Sequence, residues 1–97
     1  MILSFADQET QDIFDGKKTK SAIKRLDPIL WTVAQRKLHI IKAATVLDDL
    51  RIPPGNRVEM LRGDLKDFFS IRINDQYRII FQWSGQDAMR VKITDYH

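Results

Sequence analysis

Three arginines and a closing acid, phenol and imidazole stand out as groups able to hold a phosphate and move protons: Arg62, Arg72, Arg78, then Asp95, Tyr96 and His97 in the run VKITDYH. A guanidinium matches phosphate oxygens in a two-pronged fork. An imidazole changes charge near neutral pH, and a phenol ring offers a face on which a nucleobase stacks. Glu59 adds a second carboxylate, and Arg57 and Lys92 add further cations to the candidate substrate contacts. No group of His, Asp and Glu has metal-ligand spacing and the chain has no cysteine, so neither metal nor cofactor is expected.

These residues act together only if the backbone aligns them. Phe69, Ile71 and Ile73 alternate with Ser70, Arg72 and Asn74; Tyr77, Ile79, Phe81 and Trp83 alternate with Arg78, Ile80 and Gln82. Met89, Val91 and Ile93 alternate with Arg90, Lys92 and Thr94. A period of two marks strands with one buried face. Placing Ile71 and Ile79 on the same face makes Asn74-Asp75-Gln76 a three-residue loop, in which Asn or Asp takes the left-handed conformation. Ile73 then faces Tyr77, Phe69 faces Phe81, and Arg72 lands opposite Arg78. Like charges opposed across two strands are destabilising. Either an anion sits between them, or the guanidiniums splay into water or meet acids. Matching Trp83, Phe81 and Ile79 to Met89, Val91 and Ile93 puts Thr94 opposite Arg78 and Tyr96 diagonal to it on the same face. Asp95 points the other way or lies where the strand frays, and His97 is free to swing. The expected result is a concave cationic face suited to single-stranded RNA.

The remaining elements form the support. Ile2–Phe5 reads as a short strand, Asp7 caps a helix through Phe14, and Gly16 ends it. Lys17–Arg25 reads as a basic linker, with Lys17, Lys18, Lys20 and Lys24 solvated. Asp27-Pro28 reads as the cap and first position of a long helix to about Leu50. Its apolar stripe is Leu30, Ala34, Leu38 and Ile41, widened by Val33, Ile40, Ala44 and Leu47, with Thr32, Arg36 and His39 opposite. Pro53-Pro54-Gly55-Asn56 makes a loop, and Arg57–Arg62 a further strand, with Val58/Met60 and Leu61 competing for the buried side. His39 reads as a solvated helix residue, and Trp31 and Trp83 as core or core-edge aromatics. The fold class expected is α+β, an N-terminal short strand and two helices packed on a mostly antiparallel four- to five-stranded sheet, one domain over residues 1–97.

Totals agree with this. The 97 residues are 43% hydrophobic, enough for a core and against disorder. No apolar run is long enough to span a bilayer, MILSFADQET lacks the features of a secretory signal, and the missing cysteines fit a cytoplasmic setting. The formal net charge of +3 is mild, so placement matters more than total.

The segments DLRIPPGNRVEMLRGD, SIRINDQYRIIFQW and the terminal DYH resemble the HigB-like toxins of the RelE/ParE superfamily, with PPGNR, LRGD, SIRIN, QYRI and DYH in order at matching distances. The match is close over the second half of the chain, and the preceding strand-helix-helix layout agrees. The resemblance implies a RelE-like fold and a small bacterial toxin paired with a helix-turn-helix, HigA-like antitoxin. It implies a metal-independent endoribonuclease that cuts messenger RNA in the ribosomal decoding site. It further implies contact with operator DNA only through the antitoxin; small size and a charged face favour a monomeric free toxin, and no membrane partner is expected. ParE-type relatives poison gyrase instead; the Asp-Tyr-His ending favours the RNase branch. By the same resemblance Arg78 holds the scissile phosphate, Arg62 stabilises charge developing on it, and Asp95, Tyr96 and His97 are the terminal catalytic triplet. Some members carry a histidine where this chain has Glu59, which either substitutes as a base or pairs with Arg62 or Arg57. Arg72 rests on register rather than on the family pattern.

Overall fold

A computed structural model describes residues 1–95 of the chain. Three helices, α1 (Gln8–Asp15), α2 (Lys20–Arg25) and α3 (Trp31–Ala43), precede an antiparallel sheet of β1 (Glu59–Met60), β2 (Phe68–Arg72), β3 (Tyr77–Ser84) and β4 (Asp87–Asp95). The strands lie in the order β1-β2-β3-β4, a plain meander. The helices cover one sheet face, and their apolar side chains (Ile13, Leu26, Trp31, Leu38, Ile41) meet Ile71, Ile79, Phe81, Val91 and Ile93 in one core. The α+β architecture expected from the sequence is the one observed.

The helix signals act as the sequence implies, with three corrections. Asp7 caps α1 by accepting from Thr10 N at 2.9 Å, and Gly16, at φ 76°, closes it in the left-handed region that glycine enters without penalty. The supposed basic linker contains a helix: Thr19 caps α2 by accepting from Ala22 N, which turns Ala22 into the core. Asp27 and Pro28 start a 3₁₀ turn, Pro28–Leu30, ahead of α3. Then α3 stops at Ala43 rather than near Leu50. The Asp49 carboxylate accepts from Thr45 N and Val46 N, its pKa held below the ordinary value by those two bonds, and the chain restarts as a 3₁₀ turn over Leu47–Arg51. Leu47 and Leu50 still reach the core, so the apolar spacing outlasts the α-helix.

Residues 2–5 are likewise not a strand. Ile2 and Phe5 form isolated parallel bridges to Ala88 and Val91, and the segment satisfies the outer edge of β4: Leu3 N donates to Ala88 O, Ala88 N to Met1 O, Val91 N to Ser4 O, and Ala6 N to Val91 O. Where this segment departs, Ile93 N donates to Thr10 Oγ1 (3.0 Å) and Ile93 O accepts from Arg25 Nη1 (3.0 Å). A bare strand edge invites pairing with other chains; here the N-terminal segment, α1 and α2 occupy it.

The first hairpin has the expected register: Phe69 faces Phe81, Ile71 faces Ile79, Arg72 faces Arg78, and Ile73 N donates to Tyr77 O. Its loop closes differently from expectation. None of Asn74, Asp75 or Gln76 is left-handed; Asn74 Oδ1 instead accepts from Gln76 N and Tyr77 N, the side chain standing in for backbone. The second hairpin follows the expected register from Thr94 through Lys92, then shifts by one residue. Arg90, at φ 52°, is the extra residue of a bulge, so Ala88 rather than Met89 faces Trp83 and enters the core.

Candidate nucleic-acid interface

Opposed residues of an antiparallel ladder share a face. One row across the sheet runs Arg72–Arg78–Thr94, and the neighbouring row Glu59–Ser70–Ile80–Lys92. Both lie on the face away from the helices, so Glu59, Arg72, Arg78 and Lys92 meet on one surface. Its floor is less open than the alternation implied: Ser70 is 1% and Ile80 5% exposed, and neither belongs to the helix-side core.

Arg78 is the centre of this surface. Among the described residues its buried Nη1 has no hydrogen-bond partner, and neither has the buried Ser70 Oγ, diagonal to it. Leaving a buried donor unmade costs about 1–3 kcal/mol, so an unsatisfied guanidinium nitrogen is a group waiting for an acceptor. The two alternatives for the opposed arginines divide between them. Arg72 meets an acid, Asp75, but Asp75 is 97% exposed and the pair is screened by water. Arg78 has no ion pair among the described residues, which leaves it available to an anion.

A further cation lies within electrostatic reach of Arg72. Lys37 of α3 donates to Asn56 Oδ1 at 2.8 Å, and its pKa is lowered, first by burial and then by the charges of Arg36 and Arg72. Asn56 is fully buried and donates through Nδ2 to Leu50 O (3.1 Å) and Ile52 O (3.3 Å). One amide thus ties α3 to the Pro-rich loop that leads into β1. Neither Lys37 nor Asn56 was singled out from the sequence. The available signal was an Asn directly after Pro-Pro-Gly, a position needing a polar anchor.

The other candidates are placed as follows. Glu59 is exposed in β1, directly opposite Ser70, and pairs with neither Arg57 nor Arg62. Arg57 is exposed in the left-handed region at φ 48°. Arg62 is exposed just beyond β1, after Leu61 N donates to Phe68 O at 2.9 Å. The expected strand over Arg57–Arg62 therefore shrinks to Glu59–Met60, with Leu61 taking the buried side and Met60 exposed. Lys92 is half-buried opposite Ile80. Asp95 pairs with Tyr77, on the face turned away from Arg78, and its Oδ2 accepts from Gln76 Nε2 at 2.9 Å. Tyr96 and His97 lie outside the described residues. The helix residue His39 is exposed, its ring 4.8 Å from that of Phe14; Trp31 is buried and Trp83 half-buried, as structural aromatics should be.

Solved structures share this architecture. A YoeB/ParE toxin from Agrobacterium tumefaciens matches with a TM-score of 0.59 over 99% of this chain and 98% of that one, at 16% identity. A chain of the YoeB–YefM complex from Staphylococcus aureus matches with a TM-score of 0.61 over 100% of this chain and 95% of that one, at 13% identity. The fold is therefore the one these two structures share. Sequence narrows it further: a family model described as the RelE-like toxin of type II toxin–antitoxin system HigB matches residues 3–97. Toxin HigB-1 of Vibrio cholerae serotype O1 is 45% identical over 84 residues, 86% of this chain and 84% of that toxin. The chain belongs to the HigB-like toxin family.

Proposed function

We propose that the chain is a ribosome-dependent endoribonuclease that cuts messenger RNA in the decoding site and so arrests translation. The observation that carries this reading is the buried Nη1 of Arg78, which has no hydrogen-bond partner among the described residues and is set opposite a second arginine on the same sheet face. Arg78 holds the scissile phosphate. The RNA's own 2′-OH attacks that phosphate, a cyclic phosphate forms, and the 5′-oxygen leaves as a hydroxyl. Arg62, on the exposed turn after β1, stabilises the negative charge that grows on phosphorus-bound oxygen. Asp95 and His97 are the candidates for moving the proton, and Tyr96 for stacking a base or relaying one. Glu59, Arg57, Arg72 and Lys92 steer the strand across the face. No cofactor takes part.

The chain acts in this reading as a single domain, held inactive by a helix-turn-helix antitoxin through which alone it reaches operator DNA. Primer extension on mRNA from cells expressing the chain is the test. Discrete cleavage sites are expected, and Arg78→Ala or deletion of His97 should relieve the growth arrest. Undiminished toxicity in both variants would count against a nuclease. DNA damage without mRNA cuts would indicate gyrase poisoning, and intact mRNA with operator binding only in complex would indicate a repressor subunit.

A further inference from the structure

The basic stretch ahead of and within α2 has no part in the cationic sheet face, because α2 packs on the opposite side. From Gly16 to Lys24 the chain carries Lys17, Lys18, Lys20 and Lys24 and no acidic residue. All four lysines are exposed, and none makes an ion pair among the described residues. On α2, Lys20, Ile23 and Lys24 share one helix face at spacings of three and four. Ile23 is 40% exposed, and Ile29, just beyond the helix, is 81% exposed. A cavity of about 340 Å³ lined by Glu9, Ser21, Lys24 and Arg25 opens beside this face. Arg25 is already committed to Asp7 and Glu9, so Lys24 is its free cation.

We propose that the α2 face and the Ile29 turn are a docking surface for an acidic, leucine- or isoleucine-bearing segment of the chain's antitoxin. Lysines alone would suit phosphate as well. Bare isoleucines among the lysines would not: a nucleic-acid backbone gives them nothing to bury against, and no aromatic residue in 17–29 is available for base stacking. An acidic segment with apolar residues satisfies both at once, carboxylates on the lysines and aliphatic side chains on Ile23 and Ile29. Bound there, the antitoxin grips the helix layer and leaves the Arg72–Arg78 face uncovered.

This inference rests on the antitoxin partnership proposed above, and the test separates the two. Amide hydrogen exchange is measured on the full chain free, in complex with its antitoxin, and with a single-stranded RNA oligonucleotide. Binding to the antitoxin is titrated for Lys20→Glu/Lys24→Glu and for Ile23→Ser/Ile29→Ser, all exposed positions whose melting temperatures should stay near wild type. Protection over residues 17–29 in the antitoxin complex, with Kd raised at least tenfold in each double variant, is the expected result. Kd values within twofold of wild type in both variants would overturn it. So would protection of 17–29 by RNA and not by antitoxin. Failure of the partnership itself registers separately, as no antitoxin binding by the wild-type chain, and failure of the nuclease reading as intact mRNA with that chain.

Discussion

In the proposed function, Arg78 sets function against stability at one residue. Its buried Nη1 has no partner among the described residues, and a donor left unmet costs about 1–3 kcal/mol. Replacing it with Leu should leave the melting temperature unchanged or raise it, while mRNA cleavage on translating ribosomes falls below detection. Arg78→Lys keeps the charge but loses the planar fork, and should retain only a small fraction of activity. A thermal melt run beside a primer-extension assay checks both. Arg72 differs, since its exposed partner Asp75 already compensates part of its charge; Asp75→Asn should tighten RNA binding slightly with little effect on stability. The opposition of these arginines was legible in the sequence, because period-two alternation and a three-residue loop leave one register. Lys37 was not legible. Nothing local separates it from the exposed Arg36 before it, and only packing brings it to Asn56 and into the field of Arg72.

Among the elements, the junction of α1, α2 and β4 depends on Asp7, which caps α1 and accepts from Arg25 Nη1 at 2.7 Å. Burial pushes the Asp7 carboxyl up, but hydrogen bonds from Thr10 and Arg25 and the Arg25 charge outweigh it and hold the pKa below the ordinary 3.8. A carboxylate depressed in the folded state stabilises fully above its unfolded pKa, and that contribution is lost as pH falls through the folded value. Asp7→Asn should therefore lower stability at neutral pH, by about 1–2 kcal/mol, and flatten the decline below about pH 4; urea melts across that range measure it. The loop before β1 depends in turn on Asn56. Asn56→Ala leaves the buried Leu50 carbonyl, the Ile52 carbonyl and the half-buried Lys37 ammonium without this partner, and should cost about 1–3 kcal/mol, chiefly from the one buried bond, read as a drop in melting temperature.

At the scale of the whole molecule, a net charge of +3 is too small to mark a nucleic-acid binder; segregation makes the surface. The meander turns alternate residues of every strand outward together, so cations scattered along the sequence gather on the face away from the helices. Binding to single-stranded RNA should weaken with salt, and Arg72→Gln/Arg78→Gln should reduce the log–log salt slope by roughly 0.7 for each phosphate contact removed. Fluorescence anisotropy at several salt concentrations tests this. An unchanged slope would mean that the strand runs elsewhere.

The sequence by itself determined the α+β class, the caps at Asp7 and Gly16, the Arg72–Arg78 and Arg78–Thr94 pairings and the family, because these follow from periodicity, turn chemistry and motif spacing within short stretches of chain. Helix α3 ends at Ala43 through a local contact that the continuing apolar spacing masks, Asp49 accepting from Thr45 N and Val46 N. Tertiary structure alone decided the rest. The lysine-rich linker is partly helix because Ala22 finds a place in the core. The β4 register slips at Arg90, and with it Ala88 and Met89 exchange faces. Each of these outcomes depends on a contact between residues whose meeting no local pattern encodes, and a one-residue shift in a strand reverses every side chain beyond it.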